Sequence, residues 1–319
     1  MQDGMGKPRG IAIELTEGCN RRCGFCPLTH LEVPRSQFSY MDVSTAKRIC
    51  KSLKVFPADW KPKVFFAMSG EPLMNPNLPE ILRVFREALP ESNFAIISNG
   101  DLLHLWKSDD IFKCVDLMIV DTYDDKSRNS VQKFIQRNEA VELIDFYGDW
   151  APNGRSPFSD LKRKIQNTIV AVDDLSMNDG KVASRRIHNY GGNAPFLKKP
   201  LYLKKICVNP IRELVIKYDG TVPICCMDVG NEFILGNLKD SDVHDIWFSD
   251  VFISARRLLR RGMRGFSPCA FCNASLPSSY TMVNSSTLEW PHASDFRNIS
   301  EHLKSLLKAP KNGRKRIVV

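Results

Sequence analysis

Cys19, Cys23 and Cys26 stand four and three positions apart in the segment ELTEGCNRRCGFCP, directly after an apolar run. This spacing constrains the chain more than any other feature. Three thiolates delivered by one short loop suit a soft metal site. A cubane [4Fe–4S] cluster asks for one ligand at each of four irons, and cysteine thiolate is the usual one. Three cysteines therefore leave one iron open, and an open coordination position marks a reactive centre, as it does for zinc. The alternative is a zinc knuckle completed by His30.

Ten cysteines need a reason in a protein of a reducing compartment, where disulfides do not persist. Besides the first triplet, Cys207, Cys225 and Cys226 form a second group and Cys269 with Cys272 a third. Cys50, on the stripe Val43, Ala46, Cys50 and Leu53, and Cys114, before an apolar run, read as plain core. No apolar run has the roughly 18 residues of a membrane span. The start MQDGMGKPRG lacks the layout of a signal peptide. The expectation is a soluble, cytoplasmic protein, and 319 residues with 43% apolar content suffice for one large domain or two.

Short apolar runs alternate with helical periodicity over the first two-thirds, the pattern of βα units around a parallel sheet. Strands are expected at Ile11–Leu15, Val64–Ala67, Ala95–Ser98, Leu117–Asp121, Val141–Asp145 and Arg185–Asn189, and helices at Val43–Val55, Asn77–Leu89 and Ser127–Arg137. The weakly periodic stretch Tyr147–Ala183 has no clear element and is a candidate substrate cover. A composition change near Gly191 to Pro200 suggests a boundary, dividing the chain into 1–195, 196–285 and a 286–319 extension. Beyond it, Glu213–Tyr218 and Thr221–Cys225 flank Asp219-Gly220 as an expected hairpin, followed by helices at Asp242–Phe248 and Phe252–Gly262.

The formal charge of +9 is concentrated in two places. Arg256, Arg257, Arg260, Arg261 and Arg264 crowd one segment, and Lys311, Arg314, Lys315 and Arg316 the last nine residues. The plain reading is a solvated helix face and a frayed tail; the other is a dock for phosphate, nucleic acid or an acidic partner. No aromatic residues interleave the arginines, so a stacking platform for nucleic acid is missing.

The CxxxCxxC loop after the first strand, with Phe25 before its last cysteine, resembles the signature of the radical S-adenosylmethionine (SAM) superfamily. The resemblance implies a partial (β/α)6 barrel, with the amine and carboxylate of SAM on the open iron. Reductive cleavage to a 5′-deoxyadenosyl radical would then abstract hydrogen from a substrate. Ser69-Gly70-Glu71-Pro72 is similar to the segment with which this family holds the SAM amine, Ser69 replacing a glycine. Ser98-Asn99-Gly100 and Asp121, at the ends of the third and fourth strands, match positions that contact SAM or substrate in relatives, though each also fits an ordinary turn.

Cys207, Gly220 and Cys225, the stretch Leu235-Gly236-Asn237-Leu238, Asp245-Ile246-Trp247 and Cys269-x-x-Cys272 resemble a SPASM domain. No cysteine follows Cys272, so the resemblance is to the shortened, single-cluster (twitch) form, with Cys207, Cys225, Cys269 and Cys272 saturating an auxiliary [4Fe–4S] cluster. A four-cysteine zinc ribbon is the rival.

The fold expected is therefore α/β, a partial radical SAM barrel followed by a small SPASM/twitch-like α+β domain. The function expected is oxidation or epimerisation of a carbinol in a sugar or aminocyclitol, with reduced flavodoxin or ferredoxin as electron donor. Peptide modification is an alternative, and a zinc-binding module for nucleic acid or protein one from another class. Cys226, left over once four thiolates are used, reads as a buried small residue or as a ligand in place of Cys225, and in an epimerase would be the hydrogen-atom donor to the substrate radical.

Overall fold

The computed structural model describes residues 6–24, 26–31, 38–147, 166–173 and 206–272. Its frame is a seven-stranded sheet, every pair parallel, with strand order β7-β8-β6-β5-β4-β1-β9. In chain order, β1 (Gly10–Ile13) leads to the short antiparallel pair β2 (Thr16–Glu17) and β3 (Ser39–Tyr40), with α1 (Pro27–His30) between them. Then come α2 (Val43–Leu53), β4 (Lys63–Phe66), α3 (Leu78–Ala88), β5 (Asn93–Ser98), α4 (Ser108–Phe112), β6 (Leu117–Asp121), α5 (Asp125–Gln136), β7 (Glu142–Tyr147) and β8 (Thr168–Asp173). The last region holds α6 (Asn209–Arg212), β9 (Glu213–Ile216), β10 (Thr221–Pro223), β11 (Ile234–Asn237), α7 (Val243–Trp247) and α8 (Asp250–Arg260).

The helices start where local chemistry asks them to. Asp42 caps α2 by accepting from Thr45 N, Asp124 caps α5 through Ser127 N, and Ser249 caps α8 through Phe252 N. The central strands β1, β5 and β6 are largely buried on both faces, which is why they read as continuous apolar runs. One face, with Ile11, Ile13, Val64, Phe66, Phe94, Ile96, Met118 and Val120, joins the helices in the large core. On the alternate face Ala95, Leu117, Ile119 and Val170 pack with Phe65 and Ile97 in a separate small cluster, the inside of the curved sheet.

One expected strand pairing is corrected. Glu213–Ile216 does not ladder with Thr221–Pro223. It pairs in parallel with β1, while β10 pairs with β11, although Gly220, at φ +90°, makes the expected turn. The seventh strand of the main sheet therefore comes from the region after residue 196. Within the unassigned stretch, Thr168–Asp173 forms β8, between β6 and β7. Arg185–Asn189, the basic tail and the rest of that stretch lie outside the described residues.

The arginine-rich segment is not one solvated face. Arg257, Arg260 and Arg261 are exposed, but Arg256 is fully buried, its guanidinium 3.6 Å from the Trp247 ring centroid and 3.5 Å from that of Phe252. It donates to the carbonyls of Pro210 and Trp247, and Arg264 is interior as well. Trp247 also donates to Gly6 O, and Ser52 accepts from Val243 N, so the last region is fastened to the barrel helices and to the N-terminal segment.

Candidate active site

The sheet register places the rim. Ala12 pairs with Phe65, and Val215 with Ala12, so both share the phase of the inner cluster. Two residues further along, just past the strand ends, this phase reaches Glu14, Lys217, Asn99 and, at the last residue of β6, Asp121. Barrel active sites collect at the carboxyl ends of the strands.

The cysteine loop occupies that end. Cys19 Sγ accepts from Arg21 N at 3.4 Å and from Asn99 Nδ2 at 3.5 Å. Cys26 is the N-cap of α1, and backbone amides of Leu28 and Thr29 work to stabilise its thiolate. Burial pushes all three free thiols up, Cys19 to about 11, so a cluster binding here must displace protons. Three half-buried thiols that also feel one another's charge, with N–H groups turned to sulfur, fit an iron–sulfur cluster. Phe25 and the side chain of His30 lie outside the described residues.

Arg21 anchors the loop. It donates through Nε to Asp101 at 3.0 Å and through Nη1 and Nη2 to Asp124 at 3.0 and 2.8 Å. Asp101, buried, also accepts from Asn20 and Lys126. The Arg21 hydrogen bonds hold Asp124 down at about 2. Gly100 sits at φ +74°, where a Cβ would lie 2.4 Å from Val120 Cγ1, and this turn is what brings Asp101 beneath the loop.

The Ser69-Gly70-Glu71-Pro72 segment lies against the same loop. Glu71 N donates to Gly18 O, and a Cβ on Gly70 would stand 1.7 Å from Thr16 O, so only glycine permits the approach. The Glu71 carboxylate accepts from Leu73 N, Ser98 Oγ and Asn99 N at 2.8–2.9 Å. Burial pushes it up to about 7 against those three donors. Pro72 opens a 3₁₀ turn. Ser69 donates to Glu14, and Tyr123 to Asp121 at 3.3 Å. The structure thus brings Cys19, Cys23, Cys26, Ser69, Gly70, Glu71, Pro72, Ser98 and Asn99 together, with Asp121 on the same rim.

Sequence reasoning missed Glu14, Lys217, Arg21 and Asp101. Lys217, nearly solvent-free, lies 3.7 Å from Glu14 Oε2 and donates to Glu17 and Asn231. A period-2 extension of the strands through Glu14 and Lys217 was the available signal.

The second thiol group surrounds a cavity lined by Cys207, Cys225, Cys269 and Cys272, with Met227 and Arg264. Burial pushes each of the first three up, and for Cys225 and Cys269 the charges of neighbouring thiols add to it. Among the described residues no three His, Cys, Asp or Glu side chains meet closely enough to grip one metal ion. Four thiols spread around a hollow suit a cubane, whose irons are ligated at separate corners. Cys226 is not part of that lining; burial first, then the charge of Glu213 on the inner face, raises its thiol.

Comparison with known proteins defines the class. Residues 13–144 match the radical SAM superfamily, and residues 207–273 match SPASM, an iron-sulfur cluster-binding domain. The chain thus carries a radical SAM domain followed by a SPASM domain. It is an enzyme of SAM and [4Fe–4S] clusters. It is 25% identical over 264 residues to the S-adenosyl-L-methionine-dependent 2-deoxy-scyllo-inosamine dehydrogenase of Niallia circulans, covering 82% of this chain and 92% of that one. Its fold is similar to that of BtrN in complex with AdoMet and 2-DOIA (TM-score 0.60, 22% identity, 84% of this chain and 94% of that one). It is also similar to selenomethionine BtrN in an open conformation (TM-score 0.52, 21% identity, 85% and 95%). Among the described residues no helix is long and apolar enough to cross a membrane.

Proposed function

We propose that this chain is a dehydrogenase that oxidises a carbinol of an aminocyclitol or closely related sugar. The observation that carries the reading is the second thiol set. Four cysteines line one cavity, so a cluster there has no open iron to bind substrate and is suited to accept an electron. The 25% identity to a 2-deoxy-scyllo-inosamine dehydrogenase over most of both chains supports the same chemistry. An epimerase would instead need a hydrogen-atom donor such as Cys226.

Cys19, Cys23 and Cys26 are assigned to the SAM cluster, and Cys207, Cys225, Cys269 and Cys272 to the auxiliary one. When bound, these groups and SAM supply the hydrogen-abstracting radical and an electron acceptor. The protein's residues orient and enclose. Asn99 and the Arg21–Asp101 anchor hold the cysteine loop, and Gly70 with Pro72 seats the neighbouring turn. Glu71 has one carboxylate oxygen, Oε2, with a single protein donor, leaving acceptor capacity for the SAM amine. Ser69, Ser98 and Asp121 complete the rim, and Phe25 is assigned to SAM from the motif. The division at residues 195 and 285 is kept, with β9 lent to the barrel. Reduced flavodoxin or ferredoxin is the electron donor, and the compartment is the cytoplasm.

The test is anaerobic turnover of reconstituted protein with 2-deoxy-scyllo-inosamine. Equal amounts of 5′-deoxyadenosine and a ketone product are expected. A product at the unchanged oxidation level carrying solvent hydrogen would replace this reading with epimerisation, and 5′-deoxyadenosine formation indifferent to any aminocyclitol would remove the substrate class.

A further inference from the structure

We propose that Arg264 sets the reduction potential of the auxiliary cluster, acting as a fixed cation built into its cavity. The inference rests on the assignment of Cys207, Cys225, Cys269 and Cys272 as that cluster's ligands.

Arg264 follows α8 and is only 4% exposed, yet it lines the same cavity as the four thiols. A buried arginine needs a partner that repays its desolvation. Its Nη1 donates to the carbonyl of Cys272 at 3.1 Å and its Nη2 to that of Ile206, the residue before Cys207, at 3.4 Å. The guanidinium is thereby tied to the backbone at two of the four ligand positions, and its place relative to the thiols is fixed. Arg256 offers the contrast. It too is buried, but it stacks on Trp247 and Phe252 and does not line the cavity.

A cubane saturated by four thiolates is anionic, and taking up an electron adds a further negative charge. A cation held beside it in a poorly solvated site stabilises the reduced form more than the oxidised one. Guanidinium side chains keep their charge in proteins, so this bias does not vary with pH. The consequence is a cluster tuned upward as an acceptor for the electron that leaves a carbinol radical as the ketone forms and its hydroxyl proton is released.

The experiment uses the full chain with Cys19→Ala, Cys23→Ala and Cys26→Ala, so that only the auxiliary cluster remains, followed by EPR in a redox titration. Arg264→Gln is expected to lower the midpoint by about 59 mV or more, a tenfold loss in the one-electron reduction equilibrium. Arg264→Lys should recover most of that shift. If the Gln variant does not hold iron, Arg264→His loaded at pH 5.5 takes its place. Its midpoint should fall between pH 5.5 and 8 more steeply than that of the Arg264 protein, as imidazolium loses its proton. A Gln variant with about four irons and an unmoved midpoint, or a His variant without the extra pH step, overturns the role of Arg264. Failure of the underlying assignment looks different: the triple-Ala chain with Arg264 intact would then not assemble an iron cluster.

Discussion

Lys217 Nζ lies 3.7 Å from Glu14 Oε2 across the carboxyl ends of β9 and β1, and both side chains are almost wholly removed from water. The pair joins the strand that precedes the cysteine loop to the strand contributed by the SPASM region. Glu14 Oε2 has no hydrogen bond, so the ion pair is its compensation for burial. Removing one partner leaves a buried charge without its counterion, at a cost of about 3–5 kcal/mol. Lys217→Met should therefore lower the denaturant midpoint sharply, while Lys217→Met with Glu14→Gln should recover most of the loss. A double variant no more stable than the single one would show that the pair is not coupled.

Glu71 gives the site a pH dependence of definite sign. Its folded-state pKa, about 7, stands above the ordinary glutamate value of 4.5 because of burial. Protonation therefore favours the folded state. The stability linked to this group is full below about 4.5 and is lost as pH rises through about 7. With SAM absent, the unfolding midpoint of the wild type should fall between pH 5 and 8 more steeply than that of Glu71→Gln. The difference in slope isolates Glu71 from the titrating thiols. Equal slopes in the two proteins would mean that the carboxylate stays ionised, held so by Leu73 N, Ser98 Oγ and Asn99 N.

Asp101 gathers Asn20, Arg21 and Lys126, two of which belong to the cysteine loop itself. Asp101→Asn removes the charge that orients Arg21, and the loop should then hold its cluster more loosely. Challenge with a chelator should release about half of the iron several-fold faster than in the wild type, with the remaining half unaffected. Uniform release from both sites would point to general unfolding instead.

The parts of this molecule that could be read from sequence are those whose chemistry is local. CxxxCxxC and Ser69-Gly70-Glu71-Pro72 carry their meaning in spacing, and strands such as Leu117–Asp121 are apolar because both faces are covered. What could not be read is non-local. Glu213–Ile216 and Asp219-Gly220 look like half a hairpin, yet the strand pairs with β1, about 200 residues earlier, since its apolar face completes the barrel core. β8 enters the sheet between β6 and β7, an order that no window of sequence contains. Arg256 and Arg264 counted as surface charge because the Trp247 ring and the carbonyls that receive them come from outside α8.

Cys225 and Cys226 offer the final test, because adjacent residues receive opposite assignments. Cys225 lines the four-thiol cavity and is buried; Cys226 is outside that lining, and its thiol lies within reach of the Glu213 charge. In a chain reconstituted with about eight irons, Cys225→Ala should keep about four and stop ketone formation, since the substrate's electron then has no acceptor. Cys226→Ala should keep about eight and still make ketone, because oxidation needs no hydrogen-atom donor. The decisive readout is product formed in deuterated water. A dehydrogenase places no solvent deuterium at the reacting carbon in either the wild type or Cys226→Ala. Deuterium there in the wild type, lost in Cys226→Ala while 5′-deoxyadenosine still forms, would make Cys226 a donor to a substrate radical and the enzyme an epimerase.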